Sequence, residues 1–498
     1  MNIFTHYFLP LGKLKQLAGQ TAIYGLSSIV GRLLNYLLVP LYTNIFTPGQ
    51  YGVVTELYAY LSFLIIVLTY GMETGFFRFC ESGKNDTRVY STSLISLFVS
   101  SSFFILLSVI FAKPVATALD YGNHSEYIIW LGLIIGFDAM SAIPFAWLRQ
   151  QGKAFRFASV KLINIAVNIC LNLFFLILCP YLILHGYKIP VWLYNPAVGV
   201  GYVFVANMIA SAVTLILLIP DMRVAWVFDN GLWKKLLIYS LPLLIAGLAG
   251  MVNETFDRAM LKQLLPDAST AMEQLGIYGA NYKVAILMTI FIQTFRFAAE
   301  PFFFSQAKEK NAKELYAEVM KYFVIFGLFI FLGVMLYLDI VKYFIGPEFR
   351  SGLKIVPILL LANLFLGIFF NLSIWYKLTN KTHWGAYLAL FGAAITIILN
   401  FWLIPIIGYM GSAWATLICY FAMMVVSYLI GNIFYKINYP LLRIGIYFAV
   451  ASGIYIISQV HQISSMSLSL FVNTILFLLF VAFVYYMEPL LKQKFKRH

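Results

Sequence analysis

Charge is what this sequence is short of. Only 11 % of its 498 residues are Asp, Glu, Lys or Arg, against about 25 % in soluble domains. With 62 % hydrophobic residues and a mean hydropathy of +0.85, that scarcity excludes a water-solvated globular protein and makes the chain an integral membrane protein. Cysteine is also scarce. Cys80, Cys170, Cys179 and Cys419 form no C-x-x-C and have no nearby His, so neither a metal site nor a disulfide framework is expected. Long polar connections are missing too. The longest, around Pro220 to Lys235 and Leu184 to Pro196, are about fifteen residues, too short for the external domain that a membrane glycosyltransferase, polymerase or ligase uses to carry its acceptor site. No Asp-x-Asp pair, G-x-S-x-G or Walker loop is present. No catalytic residue, metal or cofactor is therefore expected, and the chain is not read as an enzyme. The stretch Met1 to Gln16 lacks a compact apolar core with a small-residue cleavage site, so the first span is expected to be an uncleaved helix.

What the sequence has instead is long apolar runs. A hydrocarbon core roughly 30 Å thick takes about 20 apolar residues per crossing. Apolar runs read against polar breaks predict about fourteen transmembrane helices. The expected organisation is a cytoplasmic N-terminus over 1–17, an N-lobe of six helices over 18–219, and a cytoplasmic inter-lobe loop over 220–235. A C-lobe of six helices over 236–435, two further helices within 436–488 and a basic cytoplasmic tail over 489–498 complete it. The net charge of +14 points to no nucleic-acid partner, because basic residues collect in short cytoplasmic loops by the positive-inside rule. Even-numbered loops, the N-terminus and the C-terminus hold most of them, including Lys13, Arg78, Arg149, Lys161, Lys235, Lys310, Lys377 and Lys494. The odd loops hold only Lys113, Lys188, Lys262, Lys342, Arg350 and Lys354. Both termini should then be cytoplasmic, which agrees with an even number of spans.

Internal repeats locate sites in transporters, and one is visible here. Tyr51-Gly52 recurs as Tyr278-Gly279, and Glu73 with Phe76 and Phe77 recurs as Glu300 with Phe303 and Phe304, both at an offset of 227 residues. Asn35 and Pro48 recur as Asn253 and Pro266 at an offset of 218. The pattern favours an all-α polytopic protein of two pseudo-symmetric six-helix lobes around a central cavity, plus two C-terminal helices.

The scarce charges are concentrated where they are most expensive. An ionisable side chain near the bilayer centre costs roughly 3 kcal/mol on insertion scales and must face protein or water. Segments Leu236 to Leu265 and Gly276 to Gln306 carry Asn253, Glu254, Asp257, Arg258, Lys283, Gln293, Arg296 and Glu300; the first pair, Ala18 to Phe46 and Tyr51 to Phe79, carries Arg32, Asn35, Glu56 and Glu73. Glu254 with Arg258, and Arg296 with Glu300, are i,i+4 and can neutralise one another on one helix face. Arg32 has no carboxylate within a turn. Its counter-charge must come from another helix, such as Glu56 or Glu73, or from an anionic ligand. Guanidinium groups bind phosphate bidentately and stay charged at any pH. Arg32, Arg258, Arg296 and Lys283 can thus build a cationic cavity for a diphosphate. Glu56, Glu73, Asp257 and Glu300, with the polar Asn35, Asn253, Glu254 and Gln293, can tune that field, gate the lobes or bind a coupling H⁺ or Na⁺. The residues leave these roles open.

The run Gly31-Arg32-Leu33-Leu34-Asn35-Tyr36, Pro40-Leu41-Tyr42-Thr43 and Tyr51-Gly52, followed by Thr69-Tyr70-Gly71-Met72-Glu73-Thr74, resembles the Wzx-type polysaccharide flippases. So do Tyr278-Gly279-Ala280-Asn281-Tyr282-Lys283 and Phe295-Arg296-Phe297-Ala298-Ala299-Glu300-Pro301-Phe302-Phe303. These flippases belong to the multidrug, oligosaccharidyl-lipid and polysaccharide exporter (MOP) superfamily. The resemblance implies a monomeric transporter of the bacterial inner membrane that alternates between inward-open and outward-open states. It implies a substrate, an undecaprenyl-pyrophosphate-linked oligosaccharide, turned from the cytoplasmic to the periplasmic leaflet for surface polysaccharide synthesis. Arg32 and Arg296 would be cavity arginines for the pyrophosphate. Membrane lipids, and the polysaccharide polymerase and chain-length machinery, would be its partners. A cation-coupled drug exporter and a lipid II flippase are the alternatives; Arg32 in the first helix, where the drug-exporting branch commonly has a carboxylate, weighs against the former.

Overall fold

A computed structural model describes residues 30, 31, 33–80, 86–223, 226–307, 309–460 and 465–488. Among the described residues the secondary structure is helical, without strands. Twelve helices are long and apolar enough to cross a membrane, or thirteen if one bent pair counts as a single span. Of the first expected span, Ala18 to Phe46, residues 30, 31 and 33–46 are described, and Leu33–Ile45 is a shorter apolar helix. The observed fold class is the expected one, an all-helical multi-pass membrane protein.

The helices that matter for the site are α1 (Leu38–Ile45), α2 (Pro48–Thr69), α3 (Met72–Cys80), α4 (Asp86–Ile110), α5 (Ser125–Gln150), α6 (Ala154–Leu173) and α7 (Tyr202–Leu218). They continue with α8 (Asn230–Leu264), α9 (Ala268–Val284), α10 (Ile286–Gln306), α11 (Ala312–Leu336), α12 (Val356–Leu372), α13 (His383–Ile407), α14 (Tyr409–Phe434), α15 (Leu441–Val460) and α16 (Met466–Met487). Contacts divide them into two compact units. Unit 1 comprises the described residues up to Leu38 with Val53–Met251, and unit 2 comprises Val39–Gly52 with the described residues from Val252 onward. Two of the three division points, 52/53 and 251/252, fall inside long helices, α2 and α8.

In unit 1 the expected continuous helix from Tyr51 to Phe79 is interrupted. Tyr70 and Gly71 take positive φ, 35° and 70°, a region glycine enters freely and tyrosine rarely. The Tyr70 hydroxyl holds the break by bonding Ser96 Oγ on α4 at 2.6 Å. Beyond it α3 starts with Glu73 in its first turn and ends with Arg78 in its last, the charge order a helix dipole favours. The core beneath joins α3 to α7: Phe76, Tyr90, Phe145, Phe157 and Leu218 are buried together, and Tyr90 stacks on Trp147 at 4.7 Å.

In unit 2 the expected single helix from Gly276 to Gln306 is two, α9 and α10, bent by 51° at Ala285. No proline or glycine lies at the break. The halves diverge because they are tied to different partners. Asn281 of α9 donates to the Phe349 carbonyl at 2.8 Å, fixing α9 to the 3₁₀ segment Pro347–Ile355, whereas Phe291 and Phe295 of α10 pack on Phe323 of α11 at 5.0 and 4.6 Å. Asp267 caps α9, accepting the Thr270 amide at 3.0 Å. Where α9 meets the start of α2, a Cβ on Gly276 would lie 1.8 Å from the Pro48 carbonyl oxygen and one on Gly52 2.2 Å from that of Met272, so only glycine admits this approach.

Candidate functional site

The polar groups foreseen from sequence separate into those committed to helix packing and those left with unused capacity. On α8, Asn253 is buried. Its amide donates to the Ala389 carbonyl at 3.0 Å, its side-chain oxygen accepts from Thr396 at 3.3 Å, and its carbonyl accepts from Tyr420 at 3.1 Å. The residue ties α8 to α13 and α14. One turn on, Asp257 (3 % exposed) and Arg258 (9 %) are buried side by side. Asp257 accepts the Tyr278 hydroxyl of α9 and the Arg258 amide at 2.8 Å. The expected Glu254–Arg258 pair is replaced by another arrangement. The Arg258 guanidinium bonds the Glu254 carbonyl at 2.9 Å, lies 3.9 Å from Asp257 and covers the Tyr282 ring at 4.5 Å, while Glu254 is exposed. Helix spacing made the pair reachable, but the backbone oxygen and the tyrosine ring offer closer contacts. Lys283, near the end of α9, is half-buried and has Arg258 and Glu254 as its charged neighbours.

The second expected pair also re-forms. Glu300 bonds Lys377 of the short helix Ile374–Leu378 instead of Arg296. Arg296, at the midpoint of α10, is exposed; its guanidinium lies over the Phe370 ring at 4.0 Å and forms no ion pair among the described residues. Gln293, one turn earlier, is half-buried. Unit 2 therefore presents one membrane-depth cation whose foreseen counter-ion is taken by another residue, held in place by an aromatic face.

In unit 1, Glu56 is buried and accepts the hydroxyls of Tyr60 at 3.1 Å and of Tyr121. Glu73 bonds Arg149, whose guanidinium also stands 5.0 Å over Phe77. Exposed Asn35 accepts from Asn168 at 3.4 Å. Arg32 lies outside the described residues. Three charged residues that the sequence reading assigned to cytoplasmic loops, Arg149, Lys161 and Lys377, instead turn inward on helices. Asp138, which the reading passed over, faces Lys161 and Ser211. Its signal was there: a lone carboxylate in the middle of the apolar run Glu126 to Leu148.

Residues 17–306 match the family described as Polysaccharide biosynthesis protein. No curated protein matches the chain significantly in sequence. Among solved structures, the lipid II flippase MurJ in an inward closed conformation superposes with a TM-score of 0.73 at 14 % identity, covering 93 % of this chain and 98 % of that one. A multidrug resistance MATE family transporter of the MOP superfamily, inward-facing, superposes with a TM-score of 0.64 at 14 % identity, covering 83 % and 94 %. At such identities the likeness is one of fold. It is the MOP-type transporter fold.

Proposed function

The chain belongs to the polysaccharide biosynthesis protein family, and from that premise we propose that it flips undecaprenyl-pyrophosphate-linked oligosaccharide from the cytoplasmic to the periplasmic leaflet of the bacterial inner membrane by alternating access. A transporter without chemistry of its own is what the family and the fold support. The observation that carries the choice of cargo is Arg296. A guanidinium at membrane depth whose in-helix carboxylate is paired elsewhere, with Lys377, favours an anionic ligand. A diphosphate meets it with bidentate, charge-assisted bonds. A cationic drug would be repelled there. Arg258 is buried and already held by Asp257 and the Tyr282 ring, so its charge has a partner that Arg296 lacks among the described residues.

Replacing Arg296 by Ala in a host whose own copy is deleted is expected to lower surface polysaccharide about tenfold or more, with the protein still present in the membrane at wild-type level. That magnitude corresponds to loss of a charge-assisted hydrogen bond. Arg296→Lys, which keeps the charge but loses the planar fork, should be intermediate. Wild-type polysaccharide from Arg296→Ala would remove the cationic site. Unchanged polysaccharide together with lost protection against cationic drugs would point to the exporter reading.

A further inference from the structure

Unit 1 encloses a cavity of about 510 Å³ between α2, α3, α5, α6 and α7, within the range of small-ligand sites, roughly 300–1,000 Å³. For a pocket inside membrane-spanning helices its wall is unusually polar, and its polar groups are of a particular kind. Two carboxylates, Glu73 and Asp138, face two cations, Arg149 and Lys161. The formal charge therefore balances. A diphosphate would want an excess of cations and a drug cation an excess of carboxylates, so neither suits this wall.

Its hydrogen-bonding capacity is also incompletely used. Arg149 Nε is buried without an acceptor. The Lys161 ammonium rests on the Phe145 ring at 4.2 Å and forms no ion pair among the described residues. Asn164 and Asn207 each donate one amide hydrogen bond, to Thr214 at 2.8 Å and to Tyr58 at 3.0 Å, and each amide carries a further N–H donor and a carbonyl acceptor besides. Donors and acceptors thus alternate beside an apolar floor in which Phe145 and Phe157 meet edge to face at 5.2 Å. Ionisable groups at this depth are costly unless they serve a site. A sugar matches all three features. Each hydroxyl both donates and accepts, the molecule is uncharged, and the carbon face of a pyranose ring is apolar.

We infer that this cavity binds an uncharged saccharide segment of the transported glycan, with Asp138 and Lys161 contacting its hydroxyls. The inference rests on the flippase reading, and places recognition of the sugar in unit 1, apart from the Arg296 cation of unit 2.

The test compares two probes on full-length protein in nanodiscs: undecaprenyl diphosphate, which has no sugar, and the lipid-linked oligosaccharide extracted from the host's own membranes. Wild type should bind the glycolipid more tightly than the bare diphosphate. Asp138→Asn and Lys161→Met should each abolish that difference, weakening the glycolipid about tenfold or more and leaving the bare diphosphate at its wild-type affinity. Asn164→Ala, which alters no charge, should reduce the difference less. If the variants bind both probes as wild type does, or lose both alike, the cavity is not the glycan site although the flippase reading stands. If wild type binds neither probe, that reading and this inference fall together.

Discussion

A buried arginine shows how far a single residue can be read from its neighbours. Arg258 cannot lose its proton, so its charge must be balanced where it stands. Asp257, 3.9 Å away, supplies the balance and is itself held by the Tyr278 hydroxyl. Removing one partner of a buried pair leaves an uncompensated charge and costs about 3–5 kcal/mol. Asp257→Ala is therefore expected to lower the thermal midpoint of the detergent-solubilised protein sharply, and Asp257→Asn, which can still accept from Tyr278, by less. A wild-type midpoint for Asp257→Asn would show that the charge contributes nothing, and equal midpoints for the two variants would show that the Tyr278 bond contributes nothing. The sequence revealed the presence of Asp257 and Arg258 in a span and not their pairing, because helical spacing states which side chains can meet and rotamers decide which do. Arg149, Lys161 and Lys377 were misread for a related reason. They lie within a turn or two of span ends, where a long basic side chain can as easily snorkel outward as turn inward, and only the carboxylates supplied by other helices settle which.

The helices themselves were legible wherever an apolar run ended in polar residues, and illegible where a break came from tertiary ties. Nothing in Val284-Ala285-Ile286 announces the 51° bend between α9 and α10, and the continuous reading from Tyr51 to Phe79 passed over Gly71, whose positive φ follows the end of α2. Tyr51-Gly52 and Tyr278-Gly279 stood out as a repeat, yet the glycine that α2 requires in α9 is Gly276. Gly276→Leu is expected to break that approach, since the Pro48 carbonyl has no room to yield; overpacking typically costs about 1–3 kcal/mol, and a backbone contact belongs at the upper end. Loss of monodisperse protein on gel filtration would report it, and normal behaviour would contradict the close approach. The trailing helices are fastened differently. Glu488, just past α16, accepts Lys321 of α11 at 2.7 Å and Tyr447 of α15 at 2.6 Å. Burial pushes its pKa up, but Lys321 and the hydroxyls of Tyr447 and Tyr322 outweigh that and hold it below the ordinary 4.5. A depressed folded pKa contributes stability that is complete above the unfolded value and disappears as pH falls through the folded one. The thermal midpoint should accordingly drop below pH 4.5 by an amount that Glu488→Gln largely removes; an identical acid limb in both proteins would overturn the assignment.

For the whole molecule, orientation in the membrane rests on where the basic residues lie, and the structure alters that inventory. Arg149 and Lys377 are paired inside with Glu73 and Glu300, and Lys161 faces the unit 1 cavity, so none of the three counts as a loop charge. Lys262, an odd-loop residue by sequence, is buried as well. Removing them leaves Arg78, Lys84, Arg88, Lys153, Arg156, Arg223, Lys234, Lys235, Lys308, Lys310, Lys313, Lys381, Lys436 and Arg443 in the even loops, against Lys113, Lys188, Lys342, Arg350 and Lys354 on the odd side. The bias survives, and it is the loop bias, not the total charge, that orients a polytopic chain. Taking the bent pair α9–α10 as one span gives thirteen among the described residues, and with the first expected one the total is even. A reporter fused after residue 498 should therefore be cytoplasmic, as should one placed before the first span, and one inserted after Lys188 should be periplasmic. If the two ends reported opposite sides, the bent pair α9–α10 would have to enter and leave by the same face, and the direction proposed for the cargo would lose its reference frame.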